Sequence, residues 1–129
     1  MFAQSATHTI VLIDDERDTL ILISRTLMRA GYRVKAYSNP LVVLEACQRR
    51  ELEFDLLLTD LDLRSESSLT GSGVIAELRK NGFTQPMILW SGGDDIHDLS
   101  PGEGGPDLIM SKGGALALIT NIRQLLKQT

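Results

Sequence analysis

The stretch FDLLLTDLDL, residues 54–63, sets the strictest limit on how this chain can fold. Leu56, Leu57 and Leu58 form a continuous apolar run, flanked by Phe54 and Leu61. A strand that is apolar on both faces belongs in the middle of a parallel sheet covered on both sides. The run ends on Asp60, with Asp62 two residues further on. In open α/β sheets ligands bind outside the carboxyl ends of the strands, so Asp60 is expected at the functional edge. An aspartate after a strand also serves as a turn or cap residue. The other segments decide between these roles.

Residues 9–13 (TIVLI) read as a first strand that delivers Asp14, Asp15 and Glu16 at its end. Leu20, Ile23, Leu27 and Ala30 then recur at three and four, an amphipathic helix over 17–30 that Gly31 ends. Residues 32–37 alternate as an edge strand with one wet side does. Asn39-Pro40 starts a helix running to about Arg50, the Asn as cap and the Pro at the first helical position. After the central strand, residues 64–72 form a connection long for an α/β unit. A helix over 73–81 follows, with Val74, Ile75 and Leu78 inward. PMILW, residues 86–90, is a fourth strand ending at Ser91-Gly92-Gly93, and Trp90 is expected to fill the layer between sheet and helices. Residues 94–99 support at most a turn or two of helix, because SPGEGGP at 100–106 cannot continue one. DLIMS, residues 107–111, is a fifth strand that delivers Lys112, and a helix over 115–126 closes the chain.

With 129 residues, 43% of them hydrophobic, the chain can bury a core without staples. One domain over 9–129 is expected behind a flexible tail, 1–8. A sole cysteine, Cys47, in the apolar context LEAC reads as a buried packing thiol and fits a reducing compartment. No apolar run reaches the length of a membrane span, and residues 1–8 lack the features of a signal peptide, so a cytoplasmic location without membrane insertion is expected. A net charge of −4 with scattered Lys and Arg argues against a nucleic-acid-binding face. His8 and His97 have no sequence partner and read as solvated.

Strands alternating with helices specify a doubly wound parallel sheet. One of its edges then collects Asp14, Asp15, Asp60, Ser91 and Lys112. Taken singly, the Asp pair could start a helix, Ser91 could sit in a turn and Lys112 could be a solvated helix-entry residue. Their joint placement defines a site. Three carboxylates at close range repel, and a hard divalent ion such as Mg²⁺, which takes oxygen ligands, relieves them. Lys112 adds positive charge there, and Ser91 a donor for a phosphoryl oxygen.

In this order and spacing the five residues resemble the signature of response-regulator receiver domains, over nearly the whole chain. The resemblance implies a flavodoxin-like five-stranded sheet, order 2-1-3-4-5, with helices on both faces and the fourth helix short or irregular. It makes Asp60 the phosphoacceptor, Asp15 a direct Mg²⁺ ligand, Asp14 a ligand mostly through water, and the backbone carbonyl of Asp62 a further ligand. Ser91 and Lys112 would bind the phosphoryl oxygens. The implied partners are a histidine kinase or histidine phosphotransfer protein as donor and a protein target downstream. The chain would be a switch with slow autodephosphorylation, not a turnover enzyme. With no output domain after the last helix, it is expected to act by contact, as a single-domain regulator or as the receiver piece of a hybrid kinase.

The chain departs from that pattern in places. The position three before the lysine, usually aromatic, is Ile109, so an aromatic-to-hydroxyl coupling is lacking. The residue after the lysine is Gly113 in place of the usual proline, and a trans bond, or a strained cis bond held by the site, is expected there. The loop after Asp60 is longer than usual. Residues 94–106, hinged at Gly92-Gly93, become the expected moving part. Asp60-Leu61-Asp62 also resembles the nucleophile motif of haloacid-dehalogenase-type phosphohydrolases, although those need a larger chain. A degenerate receiver acting only as a protein-binding module is the third reading, which binding of Mg²⁺ would separate.

Overall fold

The computed structural model describes residues 7–63, 69–92 and 104–127. The short helix expected over 94–99, His97, Gly93 of the hinge, most of the 94–106 segment, the first five residues of the 64–72 connection and most of the 1–8 tail lie outside the described residues.

In chain order the elements are β1 (Thr9–Ile13), α1 (Arg17–Arg29), β2 (Arg33–Tyr37), α2 (Pro40–Gln48), β3 (Leu56–Asp60), α3 (Gly71–Lys80), β4 (Met87–Ser91), β5 (Leu108–Ser111) and α4 (Ala115–Lys127). The five strands form one sheet in the order β2-β1-β3-β4-β5, all neighbours parallel. This is the flavodoxin-like arrangement, with β3 central and β2 at an edge; the expected alternation in β2 is incomplete, Val34 and Tyr37 being half-buried and Arg33, Lys35 and Ala36 exposed.

Side chains alternate across a strand, so a strand buried on both faces lacks the apolar–polar alternation of a half-exposed one. Leu56 and Leu58 of β3 join Ile10, Leu12, Ile88 and Trp90 in the layer under α1 and α4, which contribute Ile23, Leu27, Leu118 and Ile122. Leu57 faces the other way with Val11, Ile13, Met87 and Leu89, under Val43, Leu44 and Cys47 of α2 and Val74, Ile75 and Leu78 of α3. Cys47 is fully buried there, and burial pushes its thiol pKa up, as expected of a packing residue.

The boundaries differ from the sequence reading in two instructive places. Helix α2 stops at Gln48 because Arg50 takes a left-handed backbone, φ 61°, that the helix cannot continue through. Its start is as expected, with the Asn39 side chain accepting a hydrogen bond from Leu41 N. Helix α3 begins at Gly71 instead of Gly73, because Thr70 is its cap: Thr70 Oγ1 accepts from Gly73 N at 3.1 Å. Among the described residues no peptide bond is cis, so the bond after Lys112 is trans. No helix among them is long and apolar enough to cross a membrane.

Candidate functional site

The parallel topology brings the carboxyl ends of β1, β3, β4 and β5 side by side, and each end carries a polar residue. Asp14 follows β1 and is wholly buried. Its backbone N–H donates to Tyr37 O, which ties the turn to the end of β2, and its carboxylate oxygen Oδ1 accepts from Glu16 N at 2.9 Å. Asp15, next in the chain, is half-buried. Asp60 ends β3 and is buried, in register with Trp90 of β4. Carboxylate oxygens of Asp14, Asp15 and Asp60 all lie within 4.8 Å of one another.

Lys112 reaches this group from beyond β5. Its backbone N–H donates to Ser91 O, which extends the β4–β5 pairing by one step. The ammonium Nζ then sits 3.0 Å from Asp14 Oδ2 and 3.1 Å from Asp60 Oδ1. Burial alone would lower the lysine's pKa, but the hydrogen bonds to Asp14 and Asp60 and their charges outweigh it, so the ammonium is held charged. The pKa of Asp60 is raised as well, which for a carboxylate favours the neutral form. Burial raises its pKa first, Lys112 offsets part of that, and the negative charges of Asp14 and Asp15 raise it again. Three carboxylates against one ammonium leave the cluster negative. An all-oxygen donor set of that charge fits a hard divalent cation.

Ser91 is buried at the end of β4, next to Trp90 and paired in register with Ser111. Asp62 is exposed on the segment that leaves β3. The structure thus brings Asp14, Asp15, Asp60 and Lys112 together, sets Ser91 on the adjoining strand end, and leaves Asp62 outside the buried group. A surface cavity of about 460 Å³ lined by Arg50, Phe54, Asp55 and Phe83 among others opens at the opposite, amino-terminal edge of the sheet and contains none of these residues.

Two residues at the site escape a reading of the sequence. A Cβ on Gly71 would overlap the backbone carbonyl oxygen of Asp60 and come 2.8 Å from Leu89 Cδ1, so only glycine lets α3 start against the end of β3. Gly71 N donates to Leu61 O at 2.9 Å, which closes this approach. The Thr-Gly pair at 70–71 signals a helix start but not which backbone it presses on. The second is Trp90, expected as packing and buried as such, whose ring also lies 5.4 Å from Lys112 Nζ.

Residues 10–102 match the family described as response regulator receiver domain, and the chain belongs to that family, whose members are signalling switches that work with histidine kinases and downstream effectors and bind Mg²⁺ at an acidic cluster. It is 25% identical over 121 residues to the transcriptional regulatory protein PcoR of Escherichia coli, covering 92% of this chain and 51% of that one. The chain therefore spans about half the length of that relative. A response regulator receiver domain protein from Clostridium thermocellum superimposes with a TM-score of 0.80 at 21% identity, over 94% of this chain and 95% of that one. The response regulator TrrA of Thermotoga maritima, solved with Mg²⁺ and BeF, gives 0.79 at 20% identity over 92% and 99%. At these identities the structural likeness establishes the fold.

Proposed function

We propose that Asp60 accepts a phosphoryl group from a phosphohistidine on a kinase or phosphotransfer protein, and that the resulting acyl phosphate changes what the carboxyl edge of the sheet offers to a protein partner. The observation that carries this is Lys112 Nζ lying within 3.1 Å of both Asp60 and the buried Asp14, with Asp15 beside them. A buried carboxylate against one fixed ammonium, at the ligand-binding edge of an α/β sheet, is a nucleophile with its charge stabiliser already in place.

In the reaction, an Asp60 carboxylate oxygen attacks phosphorus in line. The P–N bond breaks, and the imidazole leaves with the bonding pair and takes up a proton. Lys112 turns from the Asp60 carboxylate toward the incoming phosphoryl oxygens, and the Ser91 hydroxyl donates to one of them. Asp14 and Asp15 would hold Mg²⁺ together with Asp60, aided by the Asp62 carbonyl, and the ion, when bound, supplies positive charge against that of the transferring group. Asp14 keeps its orientation through Glu16 N while doing so. A mixed anhydride hydrolyses slowly, which resets the switch without a separate active site. The reading places the protein in the cytoplasm, where Cys47 stays a thiol.

The deciding experiment is intact-mass measurement after incubation with acetyl phosphate, with and without Mg²⁺. One phosphoryl group is expected on the wild type with Mg²⁺ and none on Asp60→Asn. Equal uptake by that variant would place the acceptor elsewhere.

A further inference from the structure

Lys112 has a neighbour beyond its two carboxylates. Its Nζ lies 5.4 Å from the centroid of the Trp90 ring, within the range at which an aromatic face attracts a cation. Trp90 is the sole tryptophan of the chain and is 4% exposed, and its indole N–H has no hydrogen-bond partner among the described residues. Buried indoles usually find one, and leaving that donor unpaired opposes folding. Leucine or phenylalanine would fill the same layer against Leu58 and Met110 without that penalty, so packing alone does not account for an indole here. What indole adds over both is the strongest face for a cation among the aromatic side chains.

The placement also matters. Lys112 has a flexible stem and is followed by Gly113 and Gly114, so its own backbone does little to aim its tip. The stem passes the end of β4 near Gly92, where a Cβ would come 3.9 Å from Lys112 Cδ. The ring then stands at the register position of Asp60.

We propose that Trp90 is a positioning residue for phosphoryl transfer, its ring face fixing the Lys112 ammonium beside Asp60, so that the tryptophan also senses the ammonium when phosphoryl oxygens draw it away. This rests on Asp60 being the phosphoacceptor. The position is on β4, distinct from the β5 position held by Ile109, so aromatic coupling to the site comes from a different strand.

The test compares Trp90→Phe and Trp90→Leu in the full chain, phosphorylated by acetyl phosphate with Mg²⁺ and followed by intact mass. Trp90→Leu should slow uptake about fivefold, the rate equivalent of roughly 1 kcal/mol, and Trp90→Phe should restore most of that loss. Equal rates for the two variants, whether both slow or both normal, would overturn the proposal. A second measurement does not depend on how either variant folds. Tryptophan emission of the wild type should shift when beryllofluoride and Mg²⁺ are added, and Lys112→Met should alter the starting emission and abolish that response. Emission indifferent to Lys112→Met would overturn the contact itself. Wild type that gains no phosphoryl mass would instead defeat the assignment of Asp60, whatever the emission does.

Discussion

The backbone carbonyl of Asp60 occupies the space that a β-carbon on Gly71 would need. The obstacle is main chain, so relief requires moving either the end of β3 or the start of α3. Gly71→Ala should therefore destabilise the fold by about 1–3 kcal/mol, the usual range for overpacking, and should slow phosphorylation by displacing Asp60. Gly73→Ala is the internal control. Its Cβ would meet Thr70 Oγ1 at 3.4 Å and Leu69 Cδ2 at 3.6 Å, and alanine is the better helix former, so it should be neutral or slightly stabilising. Thermal melts of the two variants that coincide would show that the close approach is not as tight as described.

Asp60→Asn should melt higher than wild type in the absence of Mg²⁺. The folded-state pKa of Asp60 is raised, by burial and by Asp14 and Asp15, with Lys112 only partly offsetting them. A carboxyl whose pKa is higher folded than unfolded binds more protons in the native state. Stability is then lost as pH rises from the unfolded value through the folded one, and above that the penalty is fully present. The amide removes it while keeping the shape. A gain of about 2–6 °C is expected at neutral pH, narrowing when Mg²⁺ is added to both proteins. A lower melting temperature for the variant would mean that the lost pairing with Lys112 outweighs the relieved repulsion.

Much of the fold is legible in the sequence because burial on two faces leaves a mark that needs no partner information. Leu56–Leu57–Leu58 must be central, and the residues that follow such strands must share an edge. That logic brings Asp14, Asp15, Asp60 and Lys112 to one place before any distance is known. The start of α3 is not legible, since Thr70, Gly71 and Ser72 read as loop residues until the Thr70 cap is seen. Nor is the left-handed Arg50, where glycine would be the ordinary signal for a helix stop. Trp90 reads as core and is core; its second contact depends on the path of a flexible lysine stem from another strand, which no local pattern encodes.

Mg²⁺ should stabilise the wild-type chain in a melt. A ligand that binds only the folded state adds about 2.7 kcal/mol at 100 times its Kd. The response should be much reduced in Asp15→Ala, because removing one carboxylate lowers both the ligand number and the negative charge that draws the ion. It should persist in Gly73→Ala, which lies outside the cluster. A melting temperature indifferent to millimolar Mg²⁺ in the wild type would speak against the acidic group as a cation site.

At the far end of the molecule Arg79 ties three segments together. Its Nη1 donates to the carbonyls of Phe83 and Gln85 at 3.0 and 2.8 Å, its Nε donates to Gly105 O at 3.1 Å, and its Nη2 pairs with Asp107 Oδ2 at 2.8 Å. That same Asp107 oxygen accepts from Met87 N, the first residue of β4. The guanidinium thus fastens the end of α3, the turn into β4 and the approach to β5, the strand that leads to Lys112. Its side chain is 14% exposed, so the freed carbonyls would be only partly rehydrated if it were removed. Arg79→Ala should cost about 2 kcal/mol or more, from several hydrogen bonds lost at once. Arg79→Lys keeps the charge but lacks the planar fork and cannot serve four acceptors in these directions, so it should recover little of the loss. Urea denaturation of both variants distinguishes the causes: if lysine restores wild-type stability, the ion pair with Asp107 carries the effect, and the fan of carbonyl contacts does not.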